Sequence, residues 1–132
     1  MEPTLSILVV DDHPAMGSTL YDILEDLGYR VTIARTGHAA IEQCLAREFD
    51  VVLMDVRMPD LNGVETYQRI KTIAAETQII MMSADVEDVV KQNAYSILKK
   101  PLDIDNLLSM LDRIQQQRQH HSSFMGKPGG EQ

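Results

Sequence analysis

The amino-acid sequence predicts an α/β domain of the (βα)5 type, a five-stranded parallel sheet doubly wound with helices on both faces. Three observations predict it. Five short apolar runs, mostly β-branched, recur along the chain, and their hydrophobicity is continuous rather than alternating, as strands buried on both faces require. Helix-period segments separate them. The acidic, hydroxyl and basic residues suited to chemistry stand directly after the runs, at the edge where open α/β sheets bind ligands.

The first run, "SILVV" (6 to 10), leads through Asp11 and Asp12 into a segment where Met16, Leu20, Leu24 and Leu27 share one helical face, with Gly28 placed as a C-terminal cap. "RVTIA" (30 to 34) follows, then a helix carrying Ala40, Ile41, Cys44 and Leu45. "VVLMD" (51 to 55) ends in a bare carboxylate at Asp55, after which Met58-Pro59 and Asn62-Gly63 turn the chain into a helix striped by Val64, Tyr67, Ile70 and Ala74. "QIIMM" (78 to 82) and "SILK" (96 to 99) complete the strands. The connections hold about 19, 16, 22 and 13 residues. The last is close to the minimum of about a dozen for a parallel crossover, so the helix of the fourth crossover is shortened, to barely two turns. Asp103 is a good N-cap for a last helix striped by Leu107, Leu108, Leu111 and Ile114. From Gln115 on, "QQQRQHHSSFMGKPGGEQ" is polar, rich in glycine and without periodicity, which predicts a domain over 1–117 and a disordered tail over 118–132.

Composition narrows the function classes. A chain of 132 residues with 44% hydrophobic content forms one core and leaves no room for a second domain. Twelve basic residues against twenty acidic ones, a net charge of -8, disfavour nucleic-acid backbone binding. The single cysteine, Cys44, has no disulfide partner and suits a reducing compartment as a small buried side chain. "MEPTLS" lacks a basic n-region and no apolar run approaches membrane-spanning length, so the expected location is cytoplasmic, with no membrane partner.

In a strand order of 2-1-3-4-5 the carboxyl edge collects Asp11 and Asp12 from the first strand, Asp55 from the third, Ser83 from the fourth and Lys99, Lys100 and Pro101 from the fifth. Three clustered carboxylates repel one another, and a divalent cation removes the conflict. Mg2+ prefers octahedral oxygen coordination with one or two carboxylates, several waters and a phosphate oxygen, so Asp12 and Asp55 supply the protein's share and Asp11 holds a coordinated water. Lys100 suits a phosphoryl group as a point charge, and Ser83 can hydrogen-bond another of its oxygens. The set reads as a site for phosphoryl transfer onto Asp55, a carboxylate acting as nucleophile.

"ILVVDDHP", "VVLMDVRMPDLNG", "IIMMSA" and "LKKPLD" together resemble the receiver domain of two-component response regulators, over about residues 5 to 117. Each piece alone is weak; four in order, each at a strand's carboxyl end, are specific. The resemblance implies a flavodoxin-like fold and a stand-alone, chemotaxis-regulator-like switch that takes a phosphoryl group from a sensor histidine kinase or phosphotransfer protein onto Asp55. It implies Mg2+ bound by Asp11, Asp12, Asp55 and the backbone carbonyl of Arg57, with Ser83 as the switch hydroxyl and Lys100 on the phosphate. Catalysis would be confined to the domain's own phosphorylation and dephosphorylation, and output would be contact with a downstream protein target. Two features depart from the family. Ile97 occupies the position three residues before Lys100 where receivers usually carry Tyr or Phe, and the fourth crossover is shorter than usual.

Other readings compete with this one. His13, beside Pro14, fits the start of the first helix better than a catalytic base, and His38 fits the exposed face of the second helix. His120-His121 fits an unstructured tail, and "GKPGG" lacks the preceding strand and spacing of a phosphate loop. An aspartyl-nucleophile phosphatase also joins carboxylates, Mg2+ and Lys, but carries Asp-x-Asp on its first strand where this chain has Asp11-Asp12. A pseudo-receiver that docks without being phosphorylated shares the fold, and Ile97 keeps that alternative open.

Overall fold

The structure, a computed structural model, describes residues 4–56, 60, 63–84 and 96–126. Five parallel strands, β1 (Ser6–Val10), β2 (Arg30–Ala34), β3 (Val51–Asp55), β4 (Gln78–Ser83) and β5 (Ser96–Lys99), form one sheet in the order β2-β1-β3-β4-β5. Four helices are described: α1 (Pro14–Asp26), α2 (Gly37–Ala46), α3 (Gly63–Ile73) and α4 (Ile104–Gly126). The shortened helix expected in the fourth crossover falls on 85–95, outside the described residues.

Continuous hydrophobicity in the strands has a direct physical reason. Successive side chains point to opposite faces of a pleated sheet, and here both faces are covered. Ile7, Val9, Val51, Leu53, Ile80, Met82 and Leu98 pack with Leu20 and Leu24 of α1 and Leu107, Leu111 and Ile114 of α4. Their alternates Leu8, Val10, Val52, Met54, Ile79 and Met81 pack with Ala40 of α2 and Ile70 of α3 on the other side, where the partly buried Ile97 joins them. In-register pairing of Val9 with Leu53, and of Leu53 with Ile80, carries one apolar row across three central strands.

The helices follow the expected stripes with instructive exceptions. Leu27, expected on the buried face of the first helix, is 55% exposed. The helix ends one residue earlier at Asp26, and Gly28 takes φ +97, so the chain has turned away before Leu27 can reach the core. Leu45, in the last turn of α2, is 67% exposed, while Cys44 beside it is half-buried; burial pushes the Cys44 thiol up from its ordinary value. Asp103 caps the last helix as expected, its Oδ1 accepting from the Asn106 amide at 3.3 Å. That helix runs to Gly126.

Thr36 supplies a cap the sequence reading did not assign: its side chain accepts from the Ala39 amide at 3.0 Å. Removing such a cap costs about 1 kcal/mol. Thr36→Ala should therefore lower the unfolding free energy by that amount, seen as a lower urea midpoint with an unchanged slope, and an unshifted midpoint would show that α2 does not depend on this bond.

Candidate functional site at the carboxyl edge of the sheet

Parallel pairing in the observed register brings the strand ends together. Asp55 pairs with Met82, one residue short of Ser83, and Ser83 pairs with Lys99, next to Lys100. The strand ladder runs on past the elements themselves, since the Asp11 amide donates to the Ala34 carbonyl, the Val56 amide to Met82 and the Lys100 amide to Ser83, at 2.8–3.1 Å. Rigid backbone therefore extends into each functional residue. Asp11, Asp55 and Ser83 are all buried, at 0%, 5% and 3% exposure.

Asp55, the acid at the mouth of a buried strand, is paired: Lys100 Nζ lies 2.7 Å from its Oδ2. A buried carboxylate without a counter-charge is strongly unfavourable, and the short, charge-assisted bond removes that difficulty while orienting the carboxylate. The Lys100–Pro101 peptide bond is cis.

Asp11 and Asp12 are held differently. Asp11 Oδ1 accepts from the His13 amide at 2.9 Å, which fixes the turn into α1, and Pro14 then starts the helix with its φ already set. His13 occupies the N-cap position, as expected, though its side chain makes no capping bond. Its Nδ1 instead stands 3.3 Å from both Asp11 Oδ1 and Asp12 Oδ1, a proximity that becomes an ion pair only when the ring is protonated. Asp11 Oδ2 and Asp12 Oδ1 are buried and have no hydrogen-bond partner among the described residues.

Buried carboxylate oxygens without a hydrogen-bond partner are unfavourable, and their clustering tests whether a cation fits. One ligand atom each from Asp11, Asp12, His13 and Asp55 lies within 4.8 Å of all the others. Two acids with unsatisfied oxygens, beside a third bonded to lysine, match a hard divalent ion that keeps several waters. Of the expected set, Arg57 lies outside the described residues. Ile97 sits on β5 among the core residues of the α2 and α3 face, away from the acids in sequence register.

The sequence reading missed Asp60. It stands in the turn-forming run after Asp55, and both of its carboxylate oxygens accept from the first-turn amides of α2. Those partners are 22 and 23 residues away, so no local pattern signals them.

The doubly wound sheet thus carries a carboxylate-lysine pair and two further acids at its carboxyl edge, where open α/β sheets bind ligands. Comparison with known proteins gives the family. The response regulator receiver domain matches residues 7–112, and the chain belongs to that family. It is 40% identical over 114 residues to the transcriptional regulatory protein ZraR of Escherichia coli O157:H7, covering 83% of this chain and 26% of that protein. It is 31% identical to the transcriptional regulatory protein CrdR of Helicobacter pylori, covering 82% of this chain and 54% of that one. The chain thus spans about a quarter to a half of the length of these relatives. Among solved structures, the chemotaxis response regulator CheY4 of Vibrio cholerae superposes with a TM-score of 0.76 at 28% identity, covering 85% of this chain and 99% of that one. A CheY-like receiver domain protein from Methanospirillum hungatei gives 0.82 at 26% identity, covering 90% and 99%. Among the described residues, no helix is long and apolar enough to cross a membrane.

Proposed function

We propose that this receiver domain accepts a phosphoryl group on Asp55 from a phosphohistidine on a sensor histidine kinase or phosphotransfer protein, with Mg2+, and signals through protein contacts. The single observation that carries the reading is the buried Asp55 carboxylate, held by Lys100 at 2.7 Å beside two acids with orphaned oxygens. A carboxylate oxygen of Asp55 attacks phosphorus; the new O–P bond forms as the P–N bond to the donor imidazole breaks, and the imidazole keeps the electron pair. Lys100 orients the nucleophile and would offer its positive charge to the incoming phosphoryl oxygens. Asp11 and Asp12, with Asp55 and the Arg57 carbonyl, would hold Mg2+, which when bound offsets the negative charge of the phosphoryl oxygens. Ser83, at the end of β4, would donate its hydroxyl to one of them and so couple the acceptor to the chain that follows.

The test is intact mass after incubation with a small acyl phosphate donor. A gain of one phosphoryl group that requires Mg2+ supports the reading; no gain leaves a docking module that works without phosphorylation.

The route from Ser83 outward also follows from chemistry. Ile97 has no hydroxyl and its χ1 is stiff, so a rotating aromatic is not available as the second state of a switch. Signalling is assigned instead to residues 84–95, linked through Ser83. Hydrogen exchange should show that segment changing protection on phosphorylation, in Ile97→Ala as in the unmodified sequence. An unresponsive segment, or a response lost in Ile97→Ala, would overturn the route.

A further inference from the structure

The geometry points to His13 as a nitrogen ligand of the carboxyl-edge cation site, which then takes a first-row transition ion such as Co2+ in preference to Mg2+; the inference rests on the reading of Asp11, Asp12 and Asp55 as metal-holding acids given above. The start of α1 does not need the ring. His13 stands at the N-cap, yet its side chain makes no capping bond, and its backbone is fixed without it: the amide donates to Asp11 Oδ1 at 2.9 Å and the carbonyl accepts from the Gly17 amide at 3.1 Å. With both backbone groups held, only the side-chain torsions remain to be set when a ligand arrives.

The ring is nonetheless turned toward the acids. Nδ1 lies 3.3 Å from Asp11 Oδ1 and 3.3 Å from Asp12 Oδ1, on a side chain that is 72% exposed and has water to turn to. Hydrogen bonding explains little of this placement, because the approach to Asp11 Oδ1 is longer than a good N–H···O bond and Asp12 Oδ1 keeps no hydrogen-bond partner among the described residues although Nδ1 is beside it. Coordination explains both contacts. Donor atoms at adjacent corners of an octahedron with bonds of about 2.1 Å stand about 3 Å apart, and at opposite corners about 4.2 Å. One ligand atom each from Asp11, Asp12, His13 and Asp55 lies within 4.8 Å of the others, so a contraction of about half an ångström makes one shell of the four. Facing two carboxylate oxygens, Nδ1 carries the ring proton in the metal-free protein; on coordination that proton leaves to water and water returns one to Nε2, so the neutral ring binds through the Nδ1 lone pair. The nitrogen sets the preference. Imidazole suits the later first-row ions, whereas Mg2+ keeps to oxygen.

The test titrates Co2+ and Mg2+ separately into the full, unphosphorylated chain carrying His120→Ala and His121→Ala, which leaves His13 and His38 of the four histidines. Calorimetry gives the two affinities, and proton NMR of the Co2+ form reports the ligand, since a coordinated imidazole shows an exchangeable ring N–H signal far outside the diamagnetic range. His13→Ala should lower the ratio of Co2+ to Mg2+ affinity about tenfold and remove that signal. His13→Ser, which places a favoured N-cap residue there, should do the same and decides if the alanine variant does not fold. A ratio within about twofold of the parent's, including a parallel loss of both affinities, overturns the inference. So does a shifted N–H signal that survives in the variant, or a parent that binds Mg2+ and shows no such signal with Co2+. A parent that binds neither ion overturns this inference together with the metal reading beneath it, whereas a parent that shows the His13 signal yet takes up no phosphoryl group refutes Asp55 as acceptor and still supports the ligand.

Discussion

Asp55→Asn is expected to remove phosphoryl uptake, by at least about 100-fold in labelled fraction, with the fold intact. An amide oxygen is a far weaker nucleophile than a carboxylate, and Asn keeps the shape and one acceptor for Lys100. The prediction is specific because two other acids lie in the same cluster. Asp11 is fully buried and one of its oxygens already accepts from the His13 amide. Asp12 is the more exposed acid, its side chain 34% accessible, and accessibility alone would make it the acceptor. Among the described residues, Asp55 is the one of the three with an ammonium group bonded to its carboxylate, which orients the nucleophile and offers a positive charge to the group being transferred. Intact mass spectrometry of the variant, with donor and Mg2+ as for the parent, decides between them. Labelling equal to the parent's would move the acceptor to Asp12.

How much of this was legible in the sequence depends on the range of the interaction. Strand positions were readable because burial on both faces leaves an unbroken apolar run, and β1, β2, β3 and β5 coincide with the runs from which they were read. β4 takes in one residue more, Ser83, because the ladder with Lys99 continues to it. The helix stripes were less readable at their ends. Leu27 and Leu45 satisfy the period but lie in or past the final turn, where the chain leaves the sheet. Periodicity says which residues share a face and not where the helix stops. Strand ends and order were enough to place Asp11, Asp12, Asp55, Ser83 and Lys100 at one edge of the sheet. The Lys100–Asp55 bond spans 45 positions and the Asp60 bonds to α2 more than 20, and such pairings depend on three-dimensional placement that no local motif encodes.

Asp12→Ala is expected to stabilise the metal-free protein and to weaken its response to Mg2+, so that the stability curves of variant and parent cross. The metal-free gain follows from the orphaned oxygens: Asp12 Oδ1 is buried without a hydrogen bond among the described residues, close to two other carboxylates. Removing one of three mutually repelling charges should return about 1 kcal/mol, or about 4 °C in Tm for a domain of this size. The same deletion takes away a direct ligand, and a tenfold weaker Kd is a modest expectation for one carboxylate of a Mg2+ site. Binding to the folded state alone stabilises by RT ln(1 + [Mg2+]/Kd), about 2.7 kcal/mol at 100 times Kd, and the variant would gain about 1.4 kcal/mol at the same concentration. With a 1 kcal/mol head start for the variant, the two curves meet near ten times the parent's Kd, roughly where the parent's binding advantage has grown to equal the repulsion removed. Thermal melts over a Mg2+ series would show the crossing directly. A variant less stable than the parent without metal would mean that the acids are not in conflict in the apo fold. Parallel curves with no crossing would mean that Asp12 is not a ligand, and each result would remove one half of the physical account of why acids crowd this edge of the sheet.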